Sequence, residues 1–145
     1  MAYMRWAPPF IMVTAVVAMF RLALALTASP LEAAVAAVLF GVSPATLALQ
    51  SDTGGICRGV GLLAALITVT CVAKALDRST ARKLVLAALF LAATVLSHLA
   101  YAVFAVVSMA ALGARRWRRA WCLAPVAALA ALAWVVAARW HGGRR

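Results

Sequence analysis

The sequence predicts an all-α fold, a polytopic membrane bundle of about five to six transmembrane helices built as one domain from residues 1–145. Three observations lead there. Hydrophobic residues make up 68% of the chain, and only 12% are charged, against roughly 25% in an ordinary soluble domain. The apolar residues also fall in long runs separated by short polar stretches. A soluble fold of this length needs polar residues to cover its surface, so hydrocarbon is expected to take the place of water.

A hydrocarbon core of about 30 Å calls for about 20 apolar residues per helix. The first helix is expected over about residues 6–26, with Arg21 near enough to one end for its guanidinium to snorkel to the headgroups. Arg5 before an apolar run, with Ala23-Leu24-Ala25 behind it, also resembles a signal peptide. The segment is nevertheless expected to be retained, because further apolar runs follow it directly. The second helix is expected over about 31–49, opened by Ser29-Pro30, where proline suits a first turn, and interrupted at Ser43-Pro44. The third covers about 59–76. The last covers about 120–138, with Pro125 in its first turns. Trp6, Trp117, Trp121 and Trp140 fall near predicted ends, as interfacial aromatics do.

Between these lies one run, Leu84 to Leu112, whose 29 residues would make a helix about 43 Å long at about 1.5 Å per residue. To fit within about 30 Å it would tilt by roughly 45°, beyond the usual range of about 0–40°. A break near Ser97-His98 instead gives two short helices, about 84–97 and 99–112, that need protein neighbours around their bend. Such a hairpin sets the clusters Lys74, Arg78, Arg82, Lys83 and Arg115, Arg116, Arg118, Arg119 on one side, which the positive-inside rule favours slightly. The expected order is then N-terminus out, Arg21 and Ser29 in, Asp52 out, Arg78 in, His98 out, Arg116 in and C-terminus out.

The net charge of +11 raises the question of nucleic acid, since a basic stripe is the electrostatic footprint of phosphate binding. Its distribution argues against that partner: the basic residues sit between or beside apolar runs, where topology determinants lie. The lipid bilayer is the expected partner, with other membrane subunits possible. Cys57, Cys71 and Cys122 are scattered and form no C-x-x-C pair, so neither a disulfide framework nor a zinc site is indicated. No metal and no cofactor is expected.

The polar inventory is small enough to weigh one residue at a time. In the loop Gln50 to Gly59, two adjacent glycines, Gly54 and Gly55, open backbone conformations closed to other residues. Asp52 and Arg58 there either bind a polar headgroup or pair with each other across a flexible turn. Gly55 and Gly59 have G-x-x-x-G spacing, a weak signal in a chain rich in small residues. His98 sits inside an apolar run, where an ionisable residue is a functional candidate by default. An imidazole there either donates to a phosphate, exchanges a proton, or caps the bend. His141 reads as a solvated tail residue. The acids are Glu32, Asp52 and Asp77, and on the expected topology Asp52 faces away from the other two, so paired-carboxylate catalysis is poorly provided for. No nucleophile elbow, P-loop, H-E-x-x-H or dinucleotide fingerprint occurs.

Read together, Ser43-Pro44, Gly54-Gly55-Ile56-Cys57-Arg58-Gly59, the basic turn Arg78 to Lys83 and Leu96-Ser97-His98 resemble the middle of multi-spanning glycosyltransferases of the GT-C type, relatives of protein mannosyltransferases. The likeness covers about residues 20–115, with Leu99 where the family often has proline. It implies a polyprenyl-phosphate-linked sugar as donor, at the outer face of a bacterial or archaeal inner membrane. Asp52, Arg58 and His98 would then be donor-side, substrate-binding residues. The family's catalytic acids lie in a first outer loop with no counterpart here, so the resemblance implies a partial enzyme whose catalytic residues are unknown.

Overall fold

The computed structural model describes residues 3–44, 55–77 and 80–115, and beyond them residues 123, 124, 126–128, 131, 132, 135 and 139. Every regular element of more than one turn among the described residues is an α-helix, and none is a strand. They are α1 (Tyr3–Thr27), α2 (Pro30–Val42), α3 (Gly55–Asp77), α4 (Ala81–Ser97) and α5 (Leu99–Arg115). Two stretches are long and apolar enough to cross a membrane, Trp6–Thr27 in α1 and Ile56–Asp77 in α3.

The helix ends follow from local chemistry. Ser29 caps α2, its hydroxyl accepting from the Glu32 amide at 3.4 Å, with Pro30 in the first turn. That satisfies one of the amides a helix start leaves open. The turn before it is strained: Ala28 follows α1 at φ 59, a left-handed conformation that costs an L residue about 1–2 kcal/mol and that glycine adopts freely. Glycine also adds freedom to the unfolded chain, worth about 0.4–1 kcal/mol the other way. Ala28→Gly should therefore raise stability by about 0.5–1 kcal/mol, visible as a higher melting temperature in detergent; a lower one would show that the φ is not strained.

The second helix ends at the interruption expected at Ser43-Pro44. Within the expected span 31–49, α2 stops at Val42, and Ser43 is extended at φ −60, ψ 129, its amide donating to the Phe40 carbonyl at 3.3 Å. Proline at position 44 disfavours the helical conformation in the residue before it. At 13 residues, α2 is about 20 Å long, short of the roughly 30 Å of a hydrocarbon core. Residues 45–49 lie outside the described residues, as does most of the helix expected at 120–138. By contrast, α3, α4 and α5 run past the apolar segments at 59–76, 84–97 and 99–112. Polar residues such as Arg82, Lys83 and Arg115 continue a helix without adding hydropathy.

The centre of the molecule is α3. Ala64, Ala65, Leu66, Thr68, Val69, Thr70, Val72, Ala73, Ala75 and Leu76 are all buried, so cover comes from several sides, with α1, α4 and α5 all packed on it. One core joins Ala15 and Leu22 of α1, Leu66, Val69, Val72 and Leu76 of α3, Ala87, Ala88 and Leu91 of α4, and Ala105 and Met109 of α5. The buried threonines stay in the helices because Thr68, Thr70 and Thr94 donate to the carbonyls of Ala64, Leu66 and Phe90 at 2.8, 2.7 and 2.7 Å.

Glycines mark where the backbones come closest. A Cβ at Gly41 would stand 3.2 Å from Val16 Cγ2, and one at Gly59 only 2.8 Å from Ile11 Cγ2. Thus α2 folds back on α1, while the N-terminal half of α1 lies against the start of α3. Small interfacial residues are how helices approach each other where lipid removes the hydrophobic contrast.

Much of the outer surface is apolar as well. Trp6, Phe10, Val13 and Val17 line the exposed side of α1; Leu31, Val35, Val38 and Val42 that of α2; Val85, Leu89 and Leu96 that of α4; and Leu99, Val103, Val106 and Val107 that of α5. Trp6, Phe10 and Leu31 are each at least 75% exposed, an arrangement that water disfavours and hydrocarbon does not.

Candidate functional site

Of the polar candidates, His98 sits where α4 meets α5. The helix α4 ends at Ser97, α5 begins at Leu99, and His98 between them is extended at φ −161, ψ 110. Its backbone stitches the two together: the His98 amide donates to the Thr94 carbonyl at 2.8 Å. The His98 carbonyl accepts from the Tyr101 and Ala102 amides at 3.1 and 3.3 Å. The Ser97 hydroxyl donates to the same Thr94 carbonyl at 3.2 Å.

This junction rests on Gly61 of α3. A Cβ there would lie 3.0 Å from Ser97 Oγ, 3.1 Å from His98 Cβ and 3.3 Å from Tyr101 Cδ2, so hydrogen is the only side chain that fits without displacement. The Tyr101 ring packs on the imidazole, centroids 4.9 Å apart and planes tilted by 44°. His98 Nδ1 is shut off from the surface and has no hydrogen-bond partner, and a buried polar atom left unsatisfied costs about 1–3 kcal/mol.

Arg58 lies one helical turn before Gly61 on the same face of α3 and is half-buried. Two of the three candidate residues, Arg58 and His98, therefore lie toward one end of the bundle from positions 40 apart in the chain. Asp52 lies outside the described residues. Glu32, in the first turn of α2, and Asp77, closing α3, sit toward the other end. Among the described residues no group of three His, Cys, Asp or Glu side chains is placed to hold a metal.

Sequence reasoning missed Gly61 and Tyr101. Tyr101 carried a usable signal, a phenol three residues after the one intramembrane histidine. Gly61 stood out from Gly55 and Gly59 in no way before the fold brought the α4–α5 junction against it. Gly59, read only as half of a weak motif, proves to be the contact point with α1.

No family model matches the chain, and no curated protein or solved structure does either.

Chemically, the cluster offers a guanidinium, a phenol, a hydroxyl and an imidazole at one end of an apolar bundle. Those groups supply a positive charge and hydrogen-bond donors and acceptors for a polar group reaching that end of the bundle.

Proposed function

We propose that the chain is a multi-pass membrane protein of about five to six crossings. We further propose that it resembles the donor side of a GT-C glycosyltransferase and holds the phosphate of a polyprenyl-phosphate-linked sugar, without carrying out the acid or base step. The membrane part rests on the apolar stripes facing outward on α1, α2, α4 and α5, together with the two long apolar stretches. One observation supports the ligand: Gly61, one turn after Arg58 on α3, packs against the junction that holds His98 and Tyr101. Arginine matches a phosphate in charge and geometry, and the His98 imidazole has one nitrogen, Nδ1, without a hydrogen-bond partner.

In nanodiscs, Arg58→Ala and His98→Ala should each weaken binding of a polyprenyl-phosphate sugar. A lost hydrogen bond to a charged group, about 1.5–3 kcal/mol, corresponds to roughly 10- to 150-fold. Unchanged affinity in both variants, with the fold intact by circular dichroism, removes the ligand from the proposal.

A second reading, a non-enzymatic membrane subunit or small transporter-like protein, draws on α2. Too short to cross alone, α2 carries the exposed stripe Leu31, Val35, Val38 and Val42, which a partner helix would cover. A stable co-purifying membrane protein with no lipid-sugar binding would favour it.

A further inference from the structure

One face of α3 is left partly uncovered while the rest of the helix is buried. Val60, Leu63, Ile67, Cys71 and Lys74 recur at three- and four-residue intervals. Val60 and Lys74 are exposed and the three between them half-exposed, whereas nearly every neighbour from Ala64 to Leu76 is buried. These five side chains line one stripe along the helix, apolar for most of its length and ending in a cation.

The cationic end is built by two helices. Lys83, in the first turn of α4, donates its ammonium to the Lys74 carbonyl at 3.3 Å, where a positive charge suits the open carbonyls of a helix C-terminus. Both ammonium groups lie within electrostatic range of the Cys71 thiol, so two positive charges stand together at the foot of the stripe. Lys83 is engaged with the α3 backbone; the Lys74 side chain is exposed.

We propose that this stripe is a binding site for one anionic phospholipid, an acyl chain lying along Leu63, Ile67 and Cys71 with the headgroup phosphate at Lys74. The dimensions agree. From Leu63 to Lys74 is 11 residues, about 16 Å along a helix, and one leaflet contributes about 15 Å of a 30 Å hydrocarbon core. The proposal rests on the reading that the chain spans a bilayer, and it is separate from the Arg58–His98 cluster, which lies at the other end of α3.

The test is titration of fluorescent phosphatidylglycerol, and separately phosphatidylcholine, into nanodiscs holding the full chain. The unaltered protein should bind phosphatidylglycerol more tightly. Lys74→Gln should weaken that binding about fivefold, from about 1 kcal/mol per basic residue at an anionic surface, and leave phosphatidylcholine unchanged. Lys74→Arg should keep the preference. Ile67→Trp, which fills the stripe, should weaken both lipids. Equal affinity for the two lipids, or a Lys74→Gln variant that retains the preference, overturns the site while leaving the membrane reading in place. A chain that does not enter nanodiscs overturns both.

Discussion

Gly61→Leu is expected to be the most disruptive single substitution in the molecule, and Gly61→Ala should already lower stability. Alanine in place of glycine normally favours a helix by about 1 kcal/mol. Here the new Cβ meets three atoms at once, Ser97 Oγ, His98 Cβ and Tyr101 Cδ2, at 3.0, 3.1 and 3.3 Å. Relief requires one of them to give way, and the junction holds them. His98 Cβ moves only with a backbone whose amide and carbonyl are both engaged, Ser97 is tied to the Thr94 carbonyl, and Tyr101 is packed on the imidazole. Overpacking of this kind costs about 1–3 kcal/mol, which offsets or exceeds the propensity gain for alanine. Leucine adds three further carbons to the same space, so a loss above about 3 kcal/mol follows, enough to separate the α4–α5 junction from α3. Unfolding of Gly61→Ala and Gly61→Leu in detergent, followed by circular dichroism, measures it. An alanine variant more stable than the parent would show that the junction yields freely.

The second large effect is expected at the α1–α3 contact. In Gly59→Ala the new methyl would come within 2.8 Å of Ile11 Cγ2. Isoleucine is branched at Cβ and held near one rotamer in a helix, so Cγ2 is no loose side-chain end. Either α1 moves off α3 or Ile11 leaves its rotamer, and about 1–3 kcal/mol is the expected loss. Ile11→Ala removes the obstructing atom, so Gly59→Ala should cost much less in that background. A double-mutant cycle should give a coupling of at least about 1 kcal/mol, within the range for residues in contact. Simple additivity would mean the helices do not touch there.

The two expectations expose how unevenly the fold can be read from the chain. The helices announce themselves: long apolar runs, Ser29-Pro30 opening α2, Pro44 closing it, and a run over 84–112 too long for one crossing, at whose middle α4 gives way to α5. The site is half legible. His98 stands out as an ionisable residue among alanines and leucines, and Arg58 as a cation beside a glycine-rich loop. Tyr101 and Gly61 belong to the same cluster and were passed over, since a phenol and a glycine in an apolar run have many bland explanations. The interruption expected at Ser43-Pro44 is legible as well, since proline disfavours the helical conformation in the residue before it, and α2 ends at Val42.

What this sequence determined alone was the type and approximate place of its described helices, because hydropathy, capping and the proline restriction act within a few residues of one another. Which faces meet was decided only in the tertiary structure. In an amphipathic helix the polar side marks the outside, but here α1 and α3 have no single polar side, and many valines and leucines are exposed. Inward and outward faces therefore differ in shape and size of side chain instead of polarity. Shape complementarity, a hydrogen at Gly61 under a histidine 37 positions later, exists only once both backbones are in place.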